Sequence, residues 1–182
     1  VEVIGDFAFS GSALSSITIP EGVAKIGYCA FEGCNNLIDI TISNSVTGVD
    51  MLMYDGSNLN YTTYSNGKYL GSFSNPYAVL FDTISDDFTA FTLHPDCITV
   101  AGGAFSNTNL TSVTLPSTMT LIGGSTFSGC MNLQSINVPS SVKEVGPEAF
   151  AMCNLADELV LPEGCTKIGG SAFAYSYIDD IT

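Results

Sequence analysis

The chain has 182 residues, 46% of them hydrophobic and only 12% charged, and its 18 acidic side chains outnumber its 4 basic ones to give a net charge of −14. That balance excludes nucleic-acid binding, which needs a basic surface to release phosphate counterions, and it disfavours docking on an anionic membrane. The apolar fraction is enough to bury a core in one domain or one repeat array, and no stretch approaches the roughly 20 continuous apolar residues of a membrane-spanning helix.

In chain order, one phrase recurs. From Ile4 the sequence reads IGDFAFSGSALSSITIPEGVAK, and the phrase restarts at Ile26, Val100, Ile122, Val145 and Ile168; Ile4 to Ile26 is 22 residues and Ile122 to Val145 is 23. An aromatic returns at Phe9, Phe31, Phe105, Phe127, Phe150 and Phe173, with Tyr54 in the third place. The 51 positions from Tyr54 to Phe105 are one 23-residue turn plus about 28 inserted residues. The expectation is a single domain, 1–182, of about seven turns, interrupted at about 61–90 and cut at both ends within the pattern.

Within each turn the order is constant. A small residue precedes the aromatic (Ala8, Ala30, Ala104, Ala149, Ala172), leaving room for a ring of the neighbouring turn. Gly11, Gly33, Gly56 and Gly129 stand where a tight turn needs positive φ. Ser12, Cys34, Ser57, Thr108, Cys130, Cys153 and Ser176 come next, small side chains able to hydrogen-bond otherwise orphaned backbone groups. The run L-x-x-I-x-I (Leu14, Ile17, Ile19; Leu133, Ile136, Val138) ends with the two-residue period of a strand buried on one face. Pro20, Pro116, Pro139 and Pro162 stop it, because proline cannot donate to a ladder. One turn cannot bury its own apolar face, so the turns are expected to stack, with a parallel sheet along one side and an aromatic spine inside.

Residues 61–90 break the period. Tyr64-Ser65-Asn66-Gly67-Lys68-Tyr69 carries Asn-Gly between β-favouring residues, a strong hairpin signal, and Tyr77-Ala78-Val79-Leu80-Phe81 reads as a further strand. Tyr61, Tyr64, Tyr69 and Tyr77 crowd this segment together with Phe73 and Phe81. Such rings either form a binding tip or supply the hydrophobic face a small hairpin needs, and the sequence leaves both readings open.

The phrase I-G-x-x-A-F-x-G-C-x-x-L-x-x-I-x-I-P-x-x-V, matched in six turns, closely resembles the BspA-like leucine-rich repeats of bacterial and some protist surface proteins. The resemblance implies a leucine-rich-repeat solenoid, a β-rich α/β horseshoe. Its L-x-x-I-x-I strands would form a parallel sheet on the concave side, with short strands and 3-10 or helical turns on the convex side. The resemblance also implies a cell-surface or secreted protein that adheres by binding a protein or glycan on host or neighbouring cells. The alternative is a structural spacer presenting other domains of a larger surface protein.

Several residues are candidates for that binding. Ser16, Thr18, Asp39, Thr41, Thr92, Ser112, Thr114, Ser135, Asn137 and Glu158 occupy outward positions of the concave strands. They form a ladder of short, mostly uncharged side chains suited to a flat protein surface or a glycan, although threonine is also simply favoured in strands. The hairpin aromatics Tyr61, Tyr64, Tyr69 and Tyr77 are the second candidate. His94 is the lone histidine, and no nucleophile or acid–base set assembles around it by spacing, so no enzyme and no cofactor are expected. The six cysteines contain no C-x-x-C, which argues against zinc, and the acidic groups Asp82/Asp86/Asp87 and Asp179/Asp180 follow no calcium-loop spacing. Buried free thiols are expected, with a Cys130–Cys153 disulfide left open. A monomer that binds no nucleic acid and does not insert into membranes completes the expectation.

Overall fold

The computed structural model describes residues 2–52, 58–155 and 159–178. Two rows of parallel strands run along the stacked turns. On the concave side, Ser16–Ile19 pairs with Asp39–Ile42, and Ala90–Thr92, Ser112–Thr114 and Ser135–Asn137 form a three-stranded sheet. The register follows the repeat, with Thr18 opposite Thr41 and with Thr92, Thr114 and Asn137 in one row. Burial alternates as the period of two requires: Ile40, Ile42, Val113 and Ile136 are buried while Ser112, Thr114, Ser135 and Asn137 face solvent. The second row is made of two-residue strands. Val3–Ile4, Lys25–Ile26 and Gly48–Val49 form one three-stranded sheet of this row, and Leu121–Ile122, Glu144–Val145 and Lys167–Ile168 form another.

The convex side departs from the family expectation. Among the described residues there is no helix, α or 3-10, so the chain is an all-β solenoid in place of an α/β horseshoe. The cause is local. Each aromatic is flanked two residues before and after by left-handed backbone: Cys29 (φ 48°) and Gly33 (70°) about Phe31, Ser125 (53°) and Gly129 (76°) about Phe127, Glu148 (54°) and Met152 (57°) about Phe150. Left-handed residues four apart interrupt any right-handed helical run. The amides divide accordingly. Phe127 N–H and Gly129 N–H donate to Ala149 O and Ala151 O of the next turn at 2.8 Å, whereas Ser128 N–H and Cys130 N–H close tight turns onto Ser125 O and Phe127 O. The glycine position behaves as its turn requires at Gly11, Gly33 and Gly129; Gly56, Ser57 and Tyr54 lie outside the described residues.

Inside, the aromatics stack face to face. Ring centroids are 5.5 Å apart for Phe9–Phe31, 5.4 Å for Phe105–Phe127, 5.3 Å for Phe127–Phe150 and 5.5 Å for Phe150–Phe173, with interplanar angles of 2°, 3°, 13° and 2°. The spine breaks at the insertion, where Phe105 meets Phe91 edge-on at 4.8 Å, and the core divides there into two clusters.

The insertion is woven into the solenoid. Thr62–Tyr64 and Gly67–Leu70 form an antiparallel hairpin, and Val79–Thr83 adds to its other edge. The chain then serves both rows of the solenoid. Gly71 bridges Thr41 and accepts Ile42 N–H at 3.1 Å on the concave side. Ala78 O and Leu80 O accept Ile98 N–H and Ala101 N–H at 2.8 Å, as Ala24 O and Ile26 O accept Thr47 N–H and Asp50 N–H two turns earlier. Residues 71–80 are therefore a partial extra turn. The hairpin loop is Ser65-Asn66, with Tyr64 opposite Gly67, so Gly67 belongs to the strand and not to the turn. It is glycine for want of space: a Cβ there would fall 2.6 Å from the Tyr69 ring and 2.8 Å from Leu80 Cδ1.

Candidate interaction surface

The structure gathers the concave candidates into two patches. Ser16 and Thr18 lie beside Asp39 and Thr41 in the first; Thr92, Ser112, Thr114, Ser135 and Asn137 form the second. All are exposed except Thr41, half-buried where Gly71 pairs with it. Glu158 lies outside the described residues. The break between the patches is the inserted hairpin, so one continuous ladder does not form. Asp39 is the charged member of the first patch, and its Oδ1 accepts a hydrogen bond from Asn60 Nδ2 at 2.8 Å.

The hairpin tyrosines separate by role. Tyr69 is fully buried and is core, which removes it from the candidate surface. Its strand leaves the hairpin to join the concave row, and the register shifts between Lys68 and Tyr69, so alternation fails there. Its phenol accepts His94 N–H at 3.2 Å, and burial pushes it well above the ordinary tyrosine range, keeping it protonated. Tyr77 is half-buried and stacked on His94 at 3.7 Å and 12°, with Tyr64 edge-on to the same imidazole at 4.7 Å. His94 Nδ1 accepts Asp96 N–H at 3.1 Å. The histidine thus pins the hairpin to the solenoid. Tyr61 is different: 43% exposed, its ring is held by Phe81 at 6.0 Å and by the Lys68 ammonium 5.8 Å from its centroid.

Two surface features go beyond the sequence reading: the setting of Phe73, there counted only among the crowded rings, and a cleft that it missed. Phe73 is fully exposed at the tip of a turn, residues 72–75, tied by Ser72 N–H to Asn75 O (3.0 Å), Asn75 N–H to Ser72 Oγ (3.2 Å) and Asn75 Nδ2 to Asp96 O (3.0 Å). The flanking Ser72, Ser74, Asn75 and Pro76, all turn formers, were the available signal. A cleft of about 260 Å³ lies at the base of the hairpin, lined by Asn60, Tyr61, Thr62, Leu70 and Ser72 among others. It exists because the chain leaves the concave row at Asn60 and returns at Gly71, which no periodicity could reveal. Lys25, Lys68 and Lys167 are engaged by Asp50, Asp82 and Glu144, so little free positive charge remains to attract a polyanion. Among the described residues no three His, Cys, Asp or Glu side chains gather as a metal-ligand set; Asp179 and Asp180 lie outside them.

The BspA-type leucine-rich repeat region, in six copies, matches residues 1–75 and 78–182. The chain belongs to this family. It is similar to a leucine-rich cell surface protein of Faecalibacterium prausnitzii, 26% identical over 100% of this chain and 51% of that one, with a TM-score of 0.56. The pneumococcal vaccine antigen PcpA shares the fold at 19% identity over 93% of this chain and 50% of its own, TM-score 0.54. The chain therefore spans about half the length of these solved structures. No curated protein matches it. Among the described residues no helix is long and apolar enough to cross a membrane.

In this BspA-type array the small position after the aromatic has the role its chemistry suggests. Cys34 Sγ donates to Phe9 O at 3.0 Å, Cys130 Sγ to Phe105 O at 3.0 Å and Cys153 Sγ to Phe127 O at 3.1 Å; the Ser176 hydroxyl does the same for Phe150 O. Each caps the aromatic's carbonyl one turn back, so a thiol here replaces a hydroxyl. None of the six cysteines is in a disulfide, and only Cys165 is more than marginally accessible. Burial pushes the Cys97 and Cys153 thiols up to about 12 and raises Cys130 as well. The thiolate is the reactive form. At mildly alkaline pH, Ellman's reagent is therefore expected to modify Cys165 alone in the native protein and all six thiols in guanidinium. Rapid native reaction at Cys130 or Cys153 would contradict this burial.

Proposed function

We propose that this chain is an extracellular interaction module, displayed on the cell surface or secreted, that acts as a monomer. It binds a protein or glycan through its concave face and the adjoining hairpin. The observation that carries this reading is the in-register display of exposed, mostly uncharged Ser, Thr and Asn side chains on the concave sheet. Beside it, Tyr61 and Phe73 present apolar rings that the core does not use, and exposed aromatics on a braced scaffold are the usual anchors of an interface. The Faecalibacterium relative is named a cell surface protein and PcpA a vaccine antigen, which supports the location. A polyanionic ligand is disfavoured by the net charge of −14.

The competing reading is a spacer, favoured by the regular stacking of turns through parallel strands and rings. The two separate on surface substitutions that leave the fold intact. A variant carrying Thr92→Ala, Thr114→Ala and Asn137→Ala, and another carrying Phe73→Ala, are to be compared for attachment to matrix proteins, glycans and host cells. Binding weaker by about tenfold or more in either, with unchanged thermal melting, is the expected result. Undiminished attachment in both would favour the spacer.

A further inference from the structure

We infer that the cleft at the base of the hairpin is a carbohydrate subsite that holds one uncharged pyranose unit of a neutral glycan; this rests on the binding reading above and makes it specific. Size comes first. At about 260 Å³ the cleft falls below the roughly 300–1,000 Å³ of sites for drug-sized ligands, so it suits a single ring and not a folded peptide. Its floor is apolar, made by the buried Ile40, Tyr69 and Leu70. Its wall is Tyr61, whose ring is held by Phe81 and Lys68. A braced ring with 43% of its residue exposed is a ready platform for the C–H face of a sugar.

Polar recognition sits at the rim. Asn60 is fixed by its own N–H to Ile38 O at 2.7 Å and by Nδ2 to Asp39 Oδ1 at 2.8 Å. This leaves the amide oxygen of Asn60 and its second amide hydrogen to meet adjacent hydroxyls, with Thr62 also in the lining. The same groups select charge. Asp39, bonded to Asn60, and the acidic surface reject an anionic sugar. A glycan leaving the cleft would run onto the first hydroxyl patch, because Thr41 pairs directly with Gly71 of the cleft wall.

The test uses the full chain and soluble neutral oligosaccharides of glucose, xylose, mannose and N-acetylglucosamine, followed by calorimetry and saturation-transfer NMR. At least one is expected to bind, one molecule per chain. Tyr61→Ala and Asn60→Ala should each weaken it about tenfold, Tyr61→Phe should retain it, and Tyr175→Ala, at an exposed ring outside both the cleft and the concave face, should leave it unchanged. Circular dichroism melting controls for folding; both side chains are exposed, so their removal should leave the transition in place. Absence of binding by any of these sugars at millimolar concentration overturns the subsite. So does sugar binding that survives Tyr61→Ala and Asn60→Ala but is lost on substituting Thr92, Thr114 and Asn137; that pattern leaves the concave-face reading standing. A protein ligand lost only with the concave variants, without any sugar binding, overturns the subsite in the same way.

Discussion

Phe127→Ala is expected to cost roughly 3–5 kcal/mol of unfolding free energy, the range for truncating a large buried aromatic. The ring is completely buried and lies between Phe105 at 5.4 Å and Phe150 at 5.3 Å, so its loss opens a void with a ring on either side. The void cannot close. Phe105 N–H is bonded to Thr126 O and Phe127 N–H to Ala149 O, which holds the turns at ladder spacing above and below. A cavity whose walls are held apart is penalised near the top of the range. Phe173→Ala, at a half-buried ring with one stacking partner, should cost less. Urea titration of both variants gives the comparison. A loss below about 1 kcal/mol at Phe127 would mean that the rings do not form a mechanical spine.

The features that could be read from the sequence are those every turn repeats. The aromatic recurs in every described turn, and the small capping residue and the glycine at positive φ meet the same surroundings in several, so one environment is sampled repeatedly and chance matches cancel. The concave rows were readable for the same reason, since a repeat of constant length forces Thr92, Thr114 and Asn137 into line. What resisted reading is not periodic. Cys29, Ser125 and Glu148 take left-handed backbone although their side chains announce nothing of the kind, and this decides the convex side against helices. A tyrosine is buried or displayed according to which face of its strand it occupies. Composition does not carry that information, and the register shift beside Tyr69 erases the alternation that would. The hairpin-base cleft depends on where an irregular segment leaves and rejoins a regular one, which is a tertiary fact with no local signature.

Excising residues 61–90 is expected to destroy the cooperative fold and not merely to trim a binding tip. Tyr69, Leu70, Ala78, Val79 and Leu80 are all essentially inaccessible. Burying one such large apolar side chain is worth about 1.5–3 kcal/mol, so losing four of them with an alanine approaches the roughly 5–15 kcal/mol that holds a whole domain. The placement of these residues aggravates the loss. Leu70, Ala78 and Val79 belong to the N-terminal core cluster, whereas Tyr69 and Leu80 belong to the C-terminal one, so the insertion joins the two. Its removal also leaves Ile42 N–H, Ile98 N–H and Ala101 N–H without acceptors inside the protein. The contrasting variant replaces Ser65, an exposed loop residue at positive φ, by glycine and leaves the rest of the insertion in place. Limited proteolysis and thermal melting should show the deletion cleaved rapidly and without a sharp transition, and the loop variant close to the parent. A deletion that melts within a few degrees of the parent would refute the partial extra turn. Until then, attachment lost on deleting the hairpin says nothing about binding, because the same cut removes the junction on which both halves of the solenoid rest.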